Sequence, residues 1–265
     1  EALTDLYARL GEVDTSAFTE DRKIDLEILK TIINDQIRMG AFDENRVPFT
    51  GDSGFGQSIV FAYSRLRFKN EADVAASIER LQGIPDYLDA NVANMRRGLE
   101  TGFVSYKDPL ETVITQMKAQ IVENPEDSDL YQIFKVLPDN ISAERQAELQ
   151  EDAKAAIAFA VEGFAETVDF LENDYAPNTR DMPGVMDLPQ GRELYSAVLA
   201  MHTTRDDLTP EDVHEIGLEE VARIRAEMDA IIEEVGFEGS FAEFLAFLRT
   251  DPQFYPKSAD DLMRI

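Results

Sequence analysis

Two histidines and no cysteine are the entire imidazole and thiol inventory of this 265-residue chain. "DVHEIGLEEV", residues 212–221, starts as the zinc motif HExxH does, with His214 followed by Glu215. That motif needs a second imidazole four residues on, so that both rings leave one helical face toward one ion. Position 218 is Leu218, and the other histidine, His202, lies twelve residues upstream on what reads as a different helix. A zinc site would have to be built from His214, His202 and carboxylates, and among 53 acidic residues a neighbouring Glu carries no information. His214 therefore reads as a helix residue, and no metal ligand is assigned to the chain.

Other chemistry is sparse. "GDSGFG", residues 51–56, has the letters of a serine-protease nucleophile stretch, but Ser53 sits in an acidic loop with both histidines more than 140 positions away. Triads are recognised by geometry and not by short strings, so Ser53 is not assigned a catalytic role. There is no GxSxG elbow and no Gly-rich phosphate loop. "GRELYSAVLAMHTT", residues 191–204, places Tyr195, Leu199 and His202 on one helical face. A phenol and an imidazole there could line a substrate cleft; equally, they could pack against neighbours with their polar atoms satisfied.

The elements that would position these residues read as helices. Ile24, Ile28, Leu29, Ile32, Ile33 and Ile37 recur at helical intervals between Thr19 and Met39 and predict a stripe for burial. Leu149, Ala153, Ala156, Ile157, Ala160, Val161, Phe164, Val168 and Leu171 do the same, with alanines that suit close helix packing. Thr209, Pro210 and Asp212 form an N-terminal capping signature. Val213, Ile216, Val221, Ile224, Met228, Ile231 and Val235 then mark an apolar stripe that Gly236 ends. Further helices are expected near 57–67, 71–83, 86–101, 109–122, 128–136, 191–203, 240–249 and 259–265, with a break or kink at Pro85. No strand alternation and no fixed repeat stands out, so the expected fold is all-α, a multi-helix array over one segment, 1–265. Two stretches resist the helical reading: residues 40–56, rich in Gly, Asp and aromatics, and residues 173–191, with three prolines and two glycines and a sub-boundary expected there. Each is either a surface crossover or a functional loop.

Composition narrows the partners. A formal net charge of −28 repels phosphate backbones and anionic lipid, which disfavours nucleic acid and membrane surfaces. No apolar run approaches the roughly 20 residues of a membrane helix. The lack of cysteine leaves the compartment open. "SADDLMRI" opens a capped helix at Ser258 and stops within about two turns, which reads as a truncated end.

Four strings occur in order: "LQGIPDYLDANVANMRRGLETGFVSYKDPLETVITQM", "LPQGRELYSAVLAMHTT", "LTPEDVHEIGLEEVARIRAEMDAI" and "FLAFLRTDPQFYPKSADDLM". Together they resemble the N-terminal half of the largely bacterial family of domain of unknown function 885, over most of residues 60–265. The resemblance implies a helical, zincin-like metallopeptidase about twice this long, with its HExxH helix and a further acidic ligand in the second half. It implies that this segment lacks the zinc ligands, that the missing C-terminal half of the same protein is its partner, and that zinc and a peptide substrate belong to the full-length parent. Tyr195, His202 and Thr203 would then face the cleft and hydrogen-bond substrate. Many relatives carry a lipoprotein or secretory leader, which implies an extracytoplasmic location. The competing expectation is a non-catalytic acidic helical module that recruits a basic partner.

Overall fold

The computed structural model describes residues 2–264 and divides into two compact units, the first ending at Met201 and the second beginning at His202. The first contains α1 (Ala2–Gly11), α2 (Glu20–Gly40), α3 (Phe55–Arg65), α4 (Glu71–Gln82), α5 (Ile84–Thr101), α6 (Lys107–Lys118) and α7 (Ala143–Phe170). The division falls in the last turn of α8 (Gly191–Thr203). The second holds α9 (Pro210–Glu234), α10 (Phe241–Thr250) and α11 (Ala259–Leu262). Among the described residues there is no strand, only two isolated bridges, so the expected all-α array is the observed one.

The axis of the first unit is α7, which packs against α4, α5 and α6. Its start is fixed by Ser142, whose hydroxyl accepts from the Arg145 amide at 3.3 Å. Leu149, Ala153, Ala156, Ile157, Ala160, Phe164 and Val168 are buried, so the periodicity read from sequence is the core face. Small side chains let neighbours approach: a Cβ on Gly163 would lie 3.1 Å from Pro85 at the start of α5. Pro85 stands in the first turn of α5, where its missing N–H costs nothing, and the break from α4 falls at Gly83. Residues 129–135 wind as a 3-10 helix rather than an α-helix, with Leu130, Tyr131 and Phe134 buried. So short a segment takes the winding its packing dictates.

Two apolar stripes read from the sequence, one of them expected to be buried, stay largely uncovered. On α2 only Leu26 and Ile33 are buried, while Ile24, Ile28, Leu29 and Ile32 stay exposed. The principal neighbour of α2 is α1, a ten-residue helix with no buried residue of its own, which is too small to cover the stripe. On α9 the capping box of Thr209 and Asp212 forms as read, yet Ile216, Val221, Ile224, Met228, Ile231 and Val235 are exposed and only Ile232 is buried. Its companion in the second unit, α10, has ten residues against twenty-five. That unit is held by an aromatic cluster, with Phe237 5.1 Å from Phe244 and 5.3 Å from Phe247, and Phe254 5.4 Å from Phe247.

Candidate functional site

The two stretches that resisted a helical reading meet at one place in the first unit. After α2, Asp43 adopts a left-handed conformation (φ 47°), which Asp tolerates better than most residues. Its carboxylate is gripped by Arg97 of α5 at 2.9 Å. Arg46, nearly buried, folds back over this turn. Its guanidinium donates to the Asp43 carbonyl (3.0 Å), the Phe42 carbonyl (2.6 Å) and the Thr101 hydroxyl (2.9 Å), and lies 4.0 Å from the Phe103 ring centre. An antiparallel bridge between Phe49 and Gly54 then closes a tight loop, its Thr50 amide donating to the Ser53 carbonyl at 2.7 Å. Gly54 is required there, because a Cβ would stand 2.8 Å from that of Phe49.

The second wall is residues 103–106, which follow the left-handed Gly102 that ends α5. The third begins where α7 runs into a π-turn, Leu171–Tyr175. Tyr175 is fully buried, and its hydroxyl accepts the Ser105 amide at 3.0 Å. Burial pushes its phenol above the ordinary tyrosine value. Arg180 pairs with Tyr106 in a parallel bridge, its amide donating to the Ser105 carbonyl at 3.0 Å. The Arg180 side chain runs on the same side: Nε donates to the Val104 carbonyl (2.8 Å), and Nη1 to the carbonyls of Met182 (3.2 Å) and Gly184 (2.7 Å).

Between these walls lies a cleft of about 340 Å³, lined among others by Phe49, Phe103, Tyr106, Leu188 and Leu194, and by the polar groups of Glu44, Thr50, Ser105 and Arg180. Glu44 is exposed as a residue, yet the protein crowding its carboxyl raises the pKa above the ordinary value by desolvation. The arrangement can hold a small molecule by apolar contact and two opposite charges. It carries no paired nucleophile and base: the Ser105 hydroxyl donates to the Tyr106 carbonyl at 3.0 Å. Among the described residues no group of three His, Cys, Asp or Glu could hold a metal ion.

The residues singled out from sequence lie elsewhere. Tyr195 and His202 stand seven residues apart on α8, and both are exposed. It is the neighbouring Leu194, not Tyr195, that lines the cleft. Thr203 Oγ1 accepts the Arg205 amide at 3.3 Å, closing the turn that follows α8. His214 is exposed in the first turns of α9, and both histidines belong to the second unit. Ser53 has the Thr50 hydroxyl at 2.8 Å as its partner, which is a turn and not a catalytic pair. The cleft residues were missed one by one, although 40–56 and 173–191 contain most of them; a lone Arg in a Pro-rich crossover carries no signal until its partners in space are known.

None of the curated proteins matches the chain. A solved structure described as "the putative lipoprotein from Colwellia psychrerythraea" shares the fold, with a TM-score of 0.72 and 20% sequence identity. The match covers 80% of this chain, which spans 37% of that one. No described helix is long and apolar enough to cross a membrane. The family described as "Bacterial protein of unknown function (DUF885)" matches residues 1–264, further toward the N-terminus than the four strings reach. The chain therefore belongs to the DUF885 family.

Proposed function

We propose that the chain is the helical, substrate-holding part of a zinc metallopeptidase-like hydrolase, forming one wall of a peptide cleft in an extracytoplasmic parent protein. The observation that carries this reading is the convergence of two irregular connections on one open recess, mainly apolar, with Arg180 and Glu44 as its charged groups. Recesses of that make-up, with a few placed polar groups, are where small ligands and short peptides bind. The substrate contacts by hydrogen bonding assigned to Tyr195, His202 and Thr203 belong to the parent's wider cleft, since none of the three lines this recess. In such enzymes zinc polarises the scissile carbonyl and supplies hydroxide at neutral pH. On this reading zinc and the general base belong to residues outside this chain. The test is the complete gene product offered a broad peptide library. Cleavage abolished by chelation and restored by zinc is expected; a full-length protein that binds no zinc and cleaves no peptide overturns the reading.

A non-catalytic binding module is favoured by a different observation, the exposed apolar stripe of α9 in a chain of net charge −28. On that reading the full-length protein captures a basic partner in a salt-sensitive manner and hydrolyses nothing.

A further inference from the structure

The lining of the cleft goes beyond "peptide" to a particular part of one. We infer that it recognises a small zwitterion with an apolar body, a free apolar amino acid or a very short apolar peptide, its carboxylate on Arg180 and its ammonium drawn to Glu44.

Arg180 is held as a binding group is held. Three of its donor contacts go to the carbonyls of Val104, Met182 and Gly184, which fix the guanidinium plane without neutralising its charge. The remaining nitrogen, Nη2, has no hydrogen-bond partner among the described residues, and no carboxylate pairs with the side chain. A guanidinium fixed in advance loses little entropy on capturing an anion, and its bonds to a carboxylate are charge-assisted. Glu44 is the complement. Its carboxyl makes no ion pair and no hydrogen bond among the described residues, and it lines the same recess without pairing with Arg180. A pair of opposite, uncompensated charges in a recess also lined by Phe49, Phe103, Leu188 and Leu194 matches a ligand that carries both charges and a greasy side chain.

Size and field exclude the main competitors. Ligand pockets run from about 300 to 1,000 Å³, so 340 Å³ admits one or two residues rather than a long segment. A phosphate would meet Glu44 and the field of a chain of net charge −28, with a single Arg to hold it. The identification of the ligand as a free amino acid or very short peptide deepens the hydrolase reading and rests on it only for the origin of the ligand, since binding itself needs no zinc.

The test uses the 265-residue chain in titration calorimetry with L-leucyl-L-leucine, its C-terminal amide and its N-acetyl form. The dipeptide is expected to bind saturably. Amidation should weaken it about tenfold or more, the scale of a charge-assisted bond, and acetylation several-fold. Glu44→Gln removes no hydrogen bond and should leave the fold intact. It should bring the dipeptide down to the affinity of the acetylated form and leave the acetylated form unchanged. Equal binding of all three ligands, indifference to Glu44→Gln, or no saturable heat at about 10 mM dipeptide overturns the inference. None of these results touches zinc-dependent cleavage by the complete gene product, which is read in its own assay.

Discussion

Tyr63 shows what one buried polar atom does in this fold. It is 6% exposed, and its hydroxyl donates to the Ser77 carbonyl at 2.7 Å, tying α3 to α4. Burial pushes the phenol up to about 12, with Arg80 pulling weakly the other way. The folded state thus keeps a proton that the unfolded chain releases near pH 10, so this contribution is fully present below about 10 and is lost as pH rises toward 12. Thermal melts of the wild type should therefore fall between pH 10 and 12 more steeply than those of Tyr63→Phe. At pH 7 the variant should itself be less stable by about 1 kcal/mol through the lost hydrogen bond. Parallel pH curves would contradict this. At the same scale, Arg180 and Glu44 were invisible in the sequence for a physical reason. Arg180 is anchored partly by the Val104 carbonyl, 76 residues away, and Glu44 shares a recess with residues from three chain segments, whereas spacing rules describe only neighbours on one element.

α7 and α9 carry equally clean apolar stripes and end differently. The first is the core; the second is exposed from Ile216 to Val235, with only Val213 half-buried. Periodicity reports that a helix has an apolar face, and the mass available nearby decides what covers it. The difference is measurable. Ala160 is fully buried, and Ala160→Leu should cost about 1–3 kcal/mol by overpacking, read from chemical denaturation. Val221, 67% exposed, should tolerate Val221→Ser within about 0.5 kcal/mol in the same assay. A large loss at Val221 would mean that the stripe is covered in solution. Most helix positions, a break next to Pro85 and the caps at Thr209 and Ser258 were legible because each is set by local chemistry. The winding of 129–135 and the bareness of α2 and α9 were not, because both depend on tertiary neighbours.

At the scale of the whole molecule, the all-α architecture and the DUF885 membership were legible from composition, periodicity and the ordered strings, and the location of the recess was not. The zinc reading makes a prediction for this chain: after exposure to zinc and desalting, elemental analysis should find far less than one zinc per chain. One zinc per chain, lost in His202 or His214 variants, would contradict the assignment of the ligands elsewhere. The central claim, that the connections around residues 40–56 and 173–191 were shaped into a binding site, is tested most directly by amide NMR shifts during titration with L-leucyl-L-leucine. The account predicts saturable shifts at Glu44, Gly51, Ser105, Tyr106 and Arg180, residues of three distant chain segments that line the cleft together. Shifts confined to α9, or none at saturating dipeptide, would contradict it.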